Sequence, residues 1–208
     1  FGNLSYFGRI RIERVGWEVF GPALLLALAA GLAGGLLARL LIVSLLGSAD
    51  RFTAWRRRWP IRFAAACGLA VALSAVLTGT SVSGGGHEHT RRLLDGDAAG
   101  VPLLWTLLKF VATWLSVWSG APGGLFAPAL SIGGSLGHDV AQLLAPEHAT
   151  VLIALGMAGF LAAMTQTPIT AMIIVMEMVD GYAMVLGLKA SAMVASLVSR
   201  MVSRPLYA

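Results

Sequence analysis

The stretch Ser119-Gly120-Ala121-Pro122-Gly123-Gly124-Leu125-Phe126-Ala127-Pro128 separates two long apolar runs and decides how both are read. Pro122 and the glycine pair stop an incoming helix and permit backbone geometry closed to other residues. Pro128 suits the first turn of a new helix, where its missing N–H costs nothing. A helix is therefore predicted to begin near Leu125, and its first amides have no intrahelical partner. Those amides also carry the positive end of the helix dipole, so in a low-dielectric interior an anion is their natural ligand. Leu125 and Phe126 would hold it through main-chain N–H groups, their side chains shaping the passage. The competing reading is a plain break between two spans, and the residues alone leave the two level.

The low-dielectric setting follows from composition. Hydrophobic residues make up 57% of the 208 residues and charged ones 12%, about half the charge a soluble domain carries. A globule could not be covered in polar surface with so little. Such apolar content excludes a disordered linker, and the single cysteine, Cys67, excludes an internal disulfide. The chain reads as an integral membrane protein.

Charge placement supports this over nucleic-acid binding, which the net charge of +5 alone might suggest. Five of the fifteen basic residues are Arg51, Arg56, Arg57, Arg58 and Arg62, in a short gap between apolar runs. That is where the positive-inside rule puts a cytoplasmic loop. From Val101 to Ser199 only six charged side chains occur: Lys109, Asp139, Glu147, Glu177, Asp180 and Lys189. A nucleic-acid binder spreads basic and aromatic residues over an accessible face.

Working outward, helical segments are predicted at 17–46, 60–79, 101–118, 125–145, 150–164, 168–179 and 182–200, with a final helix starting at 205–208. Ala23–Leu46 is long enough to cross a bilayer, interrupted only by Arg39, which can snorkel. Ala27, Gly31 and Gly35 give it a flat face for a close neighbour. Trp55 and Trp59 sit in the arginine gap as an aromatic belt would. Gly79–Gly100 is the one extended polar segment. Beyond Leu125 the pieces are unequal, and Ile169–Val179 is too short to span. Short broken helices at membrane depth are tolerated where they are buried in protein or line a polar cavity, a transporter pattern.

Thr167-Pro168 reads as an N-cap followed by proline in the first helical position. Glu177 is either a proton-relay group or a hydrogen-bonded structural carboxylate, and Asp180 caps a turn or faces water. His87-Glu88-His89 lacks the spacing of a zinc-binding helix and reads as an exposed loop. His138 and Asp139 lie in an apolar helix with no nucleophile to pair with. Gly187, Ser191, Ala195 and Ser199 recur every four residues, a packing face either internal or against a second subunit.

These residues, in this order, resemble the CLC family of chloride channels and chloride/proton exchangers. Gly124-Leu125-Phe126-Ala127-Pro128 with its lead-in is similar to the family's G-x-F-x-P anion-binding motif. Gly156-Met157-Ala158-Gly159, Thr167-Pro168-Ile169-Thr170 and Glu177-Met178 are similar to the helix pair that follows it, and Pro205-Leu206-Tyr207 to the segment bearing a chloride-coordinating tyrosine. The resemblance implies an all-α membrane bundle of long tilted and short broken helices, one of the two inverted-topology repeats of that fold. It implies chloride contacted by the amides of Leu125 and Phe126 and the hydroxyl of Tyr207, with Gly124, Ala127 and Pro128 in support. Chloride is then substrate, with no cofactor and no catalytic or metal residue.

The departures carry expectations too. Neither a G-S-G-I-P nor a G-R/K-E-G-P segment is present, so the serine ligand and the gating glutamate are expected outside this chain. The chain is expected to be a fragment matching the second repeat, partnered by an N-terminal half, by the bilayer and by a second copy in a homodimer. A bacterial inner membrane is the expected location. Without those glutamates, channel and exchanger stay open. The readings of another class are a membrane-embedded enzyme using the His/Asp residues and a non-conducting scaffold.

Overall fold

The computed structural model describes residues 17–46, 51–78, 84–96, 103–179, 182–204 and 206. The helices are α1 (Phe20–Leu46), α2 (Arg51–Arg58), α3 (Pro60–Thr78), α4 (His87–Leu94), α5 (Leu103–Trp118), α6 (Phe126–Leu144), α7 (Ala149–Thr165), α8 (Pro168–Met178) and α9 (Val185–Val202). Single 3-10 turns lead into α1, α7 and α9. Among the described residues there is no strand. Among the described residues three stretches, Phe20–Leu46, Pro146–Thr165 and Tyr182–Val202, are long and apolar enough to cross a membrane by length and composition.

At the centre stands α7, buried along nearly its whole length from Val151 to Met164. Its sequence carries no charge and no polar side chain apart from threonines at its ends, as burial on all sides requires. Around it pack α6, α1, α9 and α8. Small residues permit the approach. A Cβ added at Gly31 would come 2.8 Å from Cβ of Val198 on α9, and one at Gly34 would come 2.7 Å from Cβ of Ala163 on α7. The stripe on α9 is internal: Ser191, Ala195 and Ser199 are buried. Ser191 Oγ donates to the Leu155 carbonyl at 2.9 Å and Ser199 Oγ to that of Ala163. The hydroxyls thus find acceptors on α7, which burial demands of them.

Two segments read as loops are helical. Arg51–Arg58 forms α2, and the reason is visible in Arg56. Its Nη1 donates to the carbonyls of Ser44 (2.9 Å) and Trp118 (3.3 Å), near the C-terminal ends of α1 and α5. One guanidinium thereby satisfies orphan carbonyls of two helices and meets the negative ends of their dipoles. Aromatic rings fill the space around it. Phe63 lies 5.2 Å from Trp55 and 5.1 Å from Trp118, both edge-on, and Trp114 stacks on Trp118 at 5.0 Å. Trp59 instead receives the Arg62 guanidinium over its ring at 4.3 Å.

The second is α4, which contains His87-Glu88-His89. It starts after Gly86, at φ 78°, a left-handed conformation that glycine adopts without cost. Thr90, Leu93 and Leu94 are buried, while Arg92 pairs with Glu88 at 3.1 Å on the exposed side. His89 stacks on Trp105 at 3.5 Å, and its Nε2 lies 3.0 Å from Ser135 Oγ on α6. Burial holds the His89 imidazole down to about 4, with His138 and Lys109 adding to it and Asp139 opposing. A depressed histidine contributes stability that is whole above the unfolded value near 6.5 and is lost as pH falls through about 4. The wild type should therefore lose Tm relative to His89→Gln between pH 6.5 and 4. Parallel Tm-versus-pH curves for the two proteins would refute this.

Candidate functional site

Residues 119–125 make the break. Ser119 N–H donates to the Leu115 carbonyl (2.9 Å) and Gly120 N–H to that of Val117 (3.0 Å), closing α5. Gly120 then takes φ +85°, outside the reach of most side chains. Ser119 Oγ donates to the Ser116 carbonyl at 2.6 Å and accepts from Ala121 N–H at 3.3 Å. Residues Ala121 to Gly124 are exposed, and a Cβ at Gly123 or Gly124 would meet nothing within 4 Å. These two glycines are not demanded by crowding; they leave the space before α6 open.

Leu125 is the N-cap of α6 at φ −91°, ψ −13°, with no side-chain cap. The first ladder bond runs from Ala129 N–H to the Leu125 carbonyl at 3.0 Å. Four amide positions precede it, and Pro128 has no hydrogen to offer. That leaves the N–H groups of Leu125, Phe126 and Ala127 without a partner among the described residues. Residues 119–137 carry no charged side chain, so nothing on this segment offsets the positive end of the dipole. Leu125 is half-buried and packs against the core, while Phe126 is 39% exposed beside the opening. The segment can bind an anion through main-chain donors and cannot act as acid, base or nucleophile.

Tyr207 lies outside the described residues, as does Asp180. Pro168 does open α8, but the Thr167 hydroxyl does not cap it: no side-chain cap bond forms there. Instead Thr167 Oγ1 lies 2.8 Å from Thr165 Oγ1, which bonds to the Leu161 carbonyl. The Thr167 hydroxyl thus donates toward Thr165 on the preceding helix instead of accepting from an amide of α8. Glu177 is exposed and accepts from the Tyr182 hydroxyl at 2.7 Å, the arrangement of a hydrogen-bonded structural carboxylate. Among the described residues no cluster of three or more His, Cys, Asp or Glu side chains suits a metal.

One residue had drawn no notice in the sequence. Gln166, between α7 and α8, sits at φ 56°, and its Nε2 donates to the Ser203 carbonyl at 2.9 Å. It thereby ties the start of α8 to the strand-like Ser203 that leaves α9. A glutamine within Thr-Gln-Thr-Pro is a polar residue at a turn, and nothing local marks its distant partner.

Comparison with known proteins matches this geometry to a family. The voltage gated chloride channel family matches residues 1–200. The H(+)/Cl(-) exchange transporter ClcA of Salmonella paratyphi A (strain ATCC 9150 / SARB42) is 32% identical over 160 residues, covering 73% of this chain and 33% of the relative. ClcA of Yersinia pestis bv. Antiqua (strain Angola) is 33% identical over 143 residues, 65% of this chain and 30% of the relative. The crystal structure of a CLC-type fluoride/proton antiporter superposes with a TM-score of 0.78 at 25% identity, over 95% of this chain and 48% of that one. The chain therefore spans about a third of the length of the curated relatives and about half of the antiporter chain.

Proposed function

This chain belongs to the voltage gated chloride channel (CLC) family, and we propose that it takes part in selective transmembrane chloride transport, its share of the anion site being the amides that open α6. It is an integral membrane protein of the all-helical CLC fold. The observation that carries the proposal is the trio of N–H groups at Leu125, Phe126 and Ala127, unpartnered among the described residues at the positive end of a largely buried helix. Hydrogen bonds to a charged group contribute about 1.5–3 kcal/mol each. Three of them, with no full positive charge among residues 119–137, offset part of chloride's dehydration yet let the ion leave, as conduction requires. Tyr207 would add a hydroxyl donor from the segment that follows α9.

Chloride is preferred to fluoride because the curated relatives at 32–33% identity are named for chloride, and the fluoride antiporter is more distant at 25%. Proton-coupled exchange is preferred to a channel because all three are named as proton-coupled. A second inverted repeat, a homodimeric assembly and a bacterial inner membrane with α2 on the cytoplasmic side complete the proposal. Exposed apolar side chains such as Ile169, Leu186 and Leu197 on α8 and α9 suit lipid or a second copy. The enzyme reading has no support in relatives that are exchange transporters.

The test is chloride efflux from liposomes holding the complete protein, with proton movement followed in parallel. Phe126→Ala and Tyr207→Ala should each alter flux or anion selectivity, by roughly tenfold for one lost charge-assisted hydrogen bond at Tyr207. Wild-type flux and selectivity in both variants would reject the site. Chloride gradients that drive no proton movement would reject exchange.

A further inference from the structure

Away from the anion motif, the far half of α6 carries ionisable side chains that transport through its N-terminus does not use. His138 and Asp139 are only 5% and 7% exposed. Thr106 on α5 donates its hydroxyl to Asp139 Oδ2 at 2.6 Å. The other oxygen, Oδ1, lies 3.9 Å from His138 Nδ1, which has no hydrogen-bond partner among the described residues. On the opposite side of the ring, His138 Nε2 is 3.4 Å from the amide nitrogen of Gln142, an exposed residue one turn on. Thr106, Asp139, His138 and Gln142 thus form a chain that runs from the α5–α6 contact out to the surface.

We infer that His138 is a reversible proton-binding site, oriented by Asp139 and exchanging its proton at Nε2 toward Gln142. With the Gln142 amide nitrogen donating, Nε2 is the acceptor, so Nδ1 carries the ring hydrogen and points it at the carboxylate. A carboxylate 3.9 Å from Nδ1 favours the hydrogen on that nitrogen and stabilises the ring when it is charged. When Nε2 takes a proton from water, the Gln142 amide needs only to turn so that its oxygen accepts. The imidazolium then has an acceptor at Nε2 and the Asp139 carboxylate beside Nδ1, so the buried carboxylate gains a positive neighbour. At 3.9 Å the neutral Nδ1–H falls short of a hydrogen bond to Asp139, and the added charge is what draws the pair together.

The surrounding charges do not compete for the role. His89 on α4 is stacked on Trp105 and held neutral, and Arg92 is engaged by exposed Glu88. On the same helix Arg91 pairs with Asp95, and His87 is exposed. Lys109 on α5 donates to the Gly84 carbonyl at 2.6 Å. Glu147 and His148 in the turn after α6 face each other at 4.0 Å, Arg39 on α1 is exposed, and α7 has no titratable side chain. The inference does not depend on the anion site, since it concerns the opposite end of the helix.

The experiment is histidine nitrogen NMR on the complete protein in bilayers, with the His138 signals assigned by their loss in His138→Gln. The neutral form of wild-type His138 should carry its hydrogen on Nδ1, and lowering the pH should protonate Nε2 reversibly. Asp139→Asn should weaken proton binding tenfold or more, moving the midpoint down by at least one pH unit. An imidazole that stays neutral at every pH at which the protein is folded, that is neutral with hydrogen on Nε2, or whose midpoint ignores Asp139→Asn overturns the proposal. The wild-type titration decides the first two outcomes without any variant. Thr106→Val, which removes the donor that competes for the Asp139 carboxylate, should move the midpoint up and serves should Asp139→Asn fail to fold; an unmoved or lowered midpoint again overturns the pairing.

Discussion

Gly156→Val is expected to leave almost no folded protein, whereas Gly134→Ala, one helix away and equally buried, is expected to survive. At Gly156 on α7 a Cβ would strike the carbonyl oxygen of Gly133 on α6 and crowd the Cα and N of Gly137 at 3.1 Å. The contact is mutual. A Cβ at Gly133 would come 2.5 Å from the Gly156 carbonyl oxygen, and one at Gly137 would strike that of Leu152. Backbone atoms cannot rotate aside, so the helices would have to separate. A Cβ at Gly134 meets Met157 Cγ at 3.3 Å, Ile153 Cγ2 at 3.5 Å and Thr90 Cγ2 at 3.6 Å, side-chain atoms that can shift. Inserted core methyls cost about 1–3 kcal/mol even where neighbours can adjust. Against a total stability of about 5–15 kcal/mol, three side-chain carbons driven into an immovable backbone should cost more than about 3 kcal/mol. Thermal melts of detergent-solubilised protein read the difference: Gly134→Ala within a few degrees of wild type, Gly156→Val mostly aggregated. A Gly156→Val protein melting like wild type would mean that α6 and α7 do not touch in this way.

That contact also shows where the sequence stopped being readable. The repeats at Ala27, Gly31 and Gly35 and at Ser191, Ala195 and Ser199 announce packing faces, because small residues recur there at helical spacing among larger ones. On α7 nothing contrasts, since the helix is apolar all round, and its glycines do not stand out from a uniformly buried surface. The position of α2 was legible as charge but not as structure. An arginine-rich gap reads as a loop unless one knows that Arg56 reaches carbonyls 12 and 62 residues away. The break before α6 was the most legible feature, because proline and glycine act through the local backbone, whose rules need no distant partner. For the same reason His138 and Asp139 gave little away: their chemistry depends on Thr106, which only folding brings to them.

At the anion site itself, Leu125→Pro should cut chloride affinity and flux by about 10- to 100-fold, while Leu125→Ala should change them by a few-fold at most. The pair separates main chain from side chain. Alanine removes a half-buried aliphatic group and keeps the N–H; proline keeps comparable bulk near the backbone and deletes the donor. The position tolerates proline better than its neighbours do. Leu125 already sits at φ −91°, about 10° beyond the usual proline range. The preceding residue is Gly124, whose missing Cβ relieves part of the clash that proline imposes on the residue before it. At Phe126 the residue before would be Leu125, near the helical region, and at Ala127 it would be a residue inside α6, so both would distort the helix start. One charge-assisted hydrogen bond lost from three amounts to about 1.5–3 kcal/mol, and each 1.4 kcal/mol is tenfold in affinity. Chloride titration calorimetry on the complete protein gives affinity, and liposome efflux gives rate. If both variants lose affinity equally, the ion is held by the shape of the side chains and not by the amide. If neither loses any, the open end of α6 faces something other than the ion, and the three donors must be satisfied by water or by the rest of the protein.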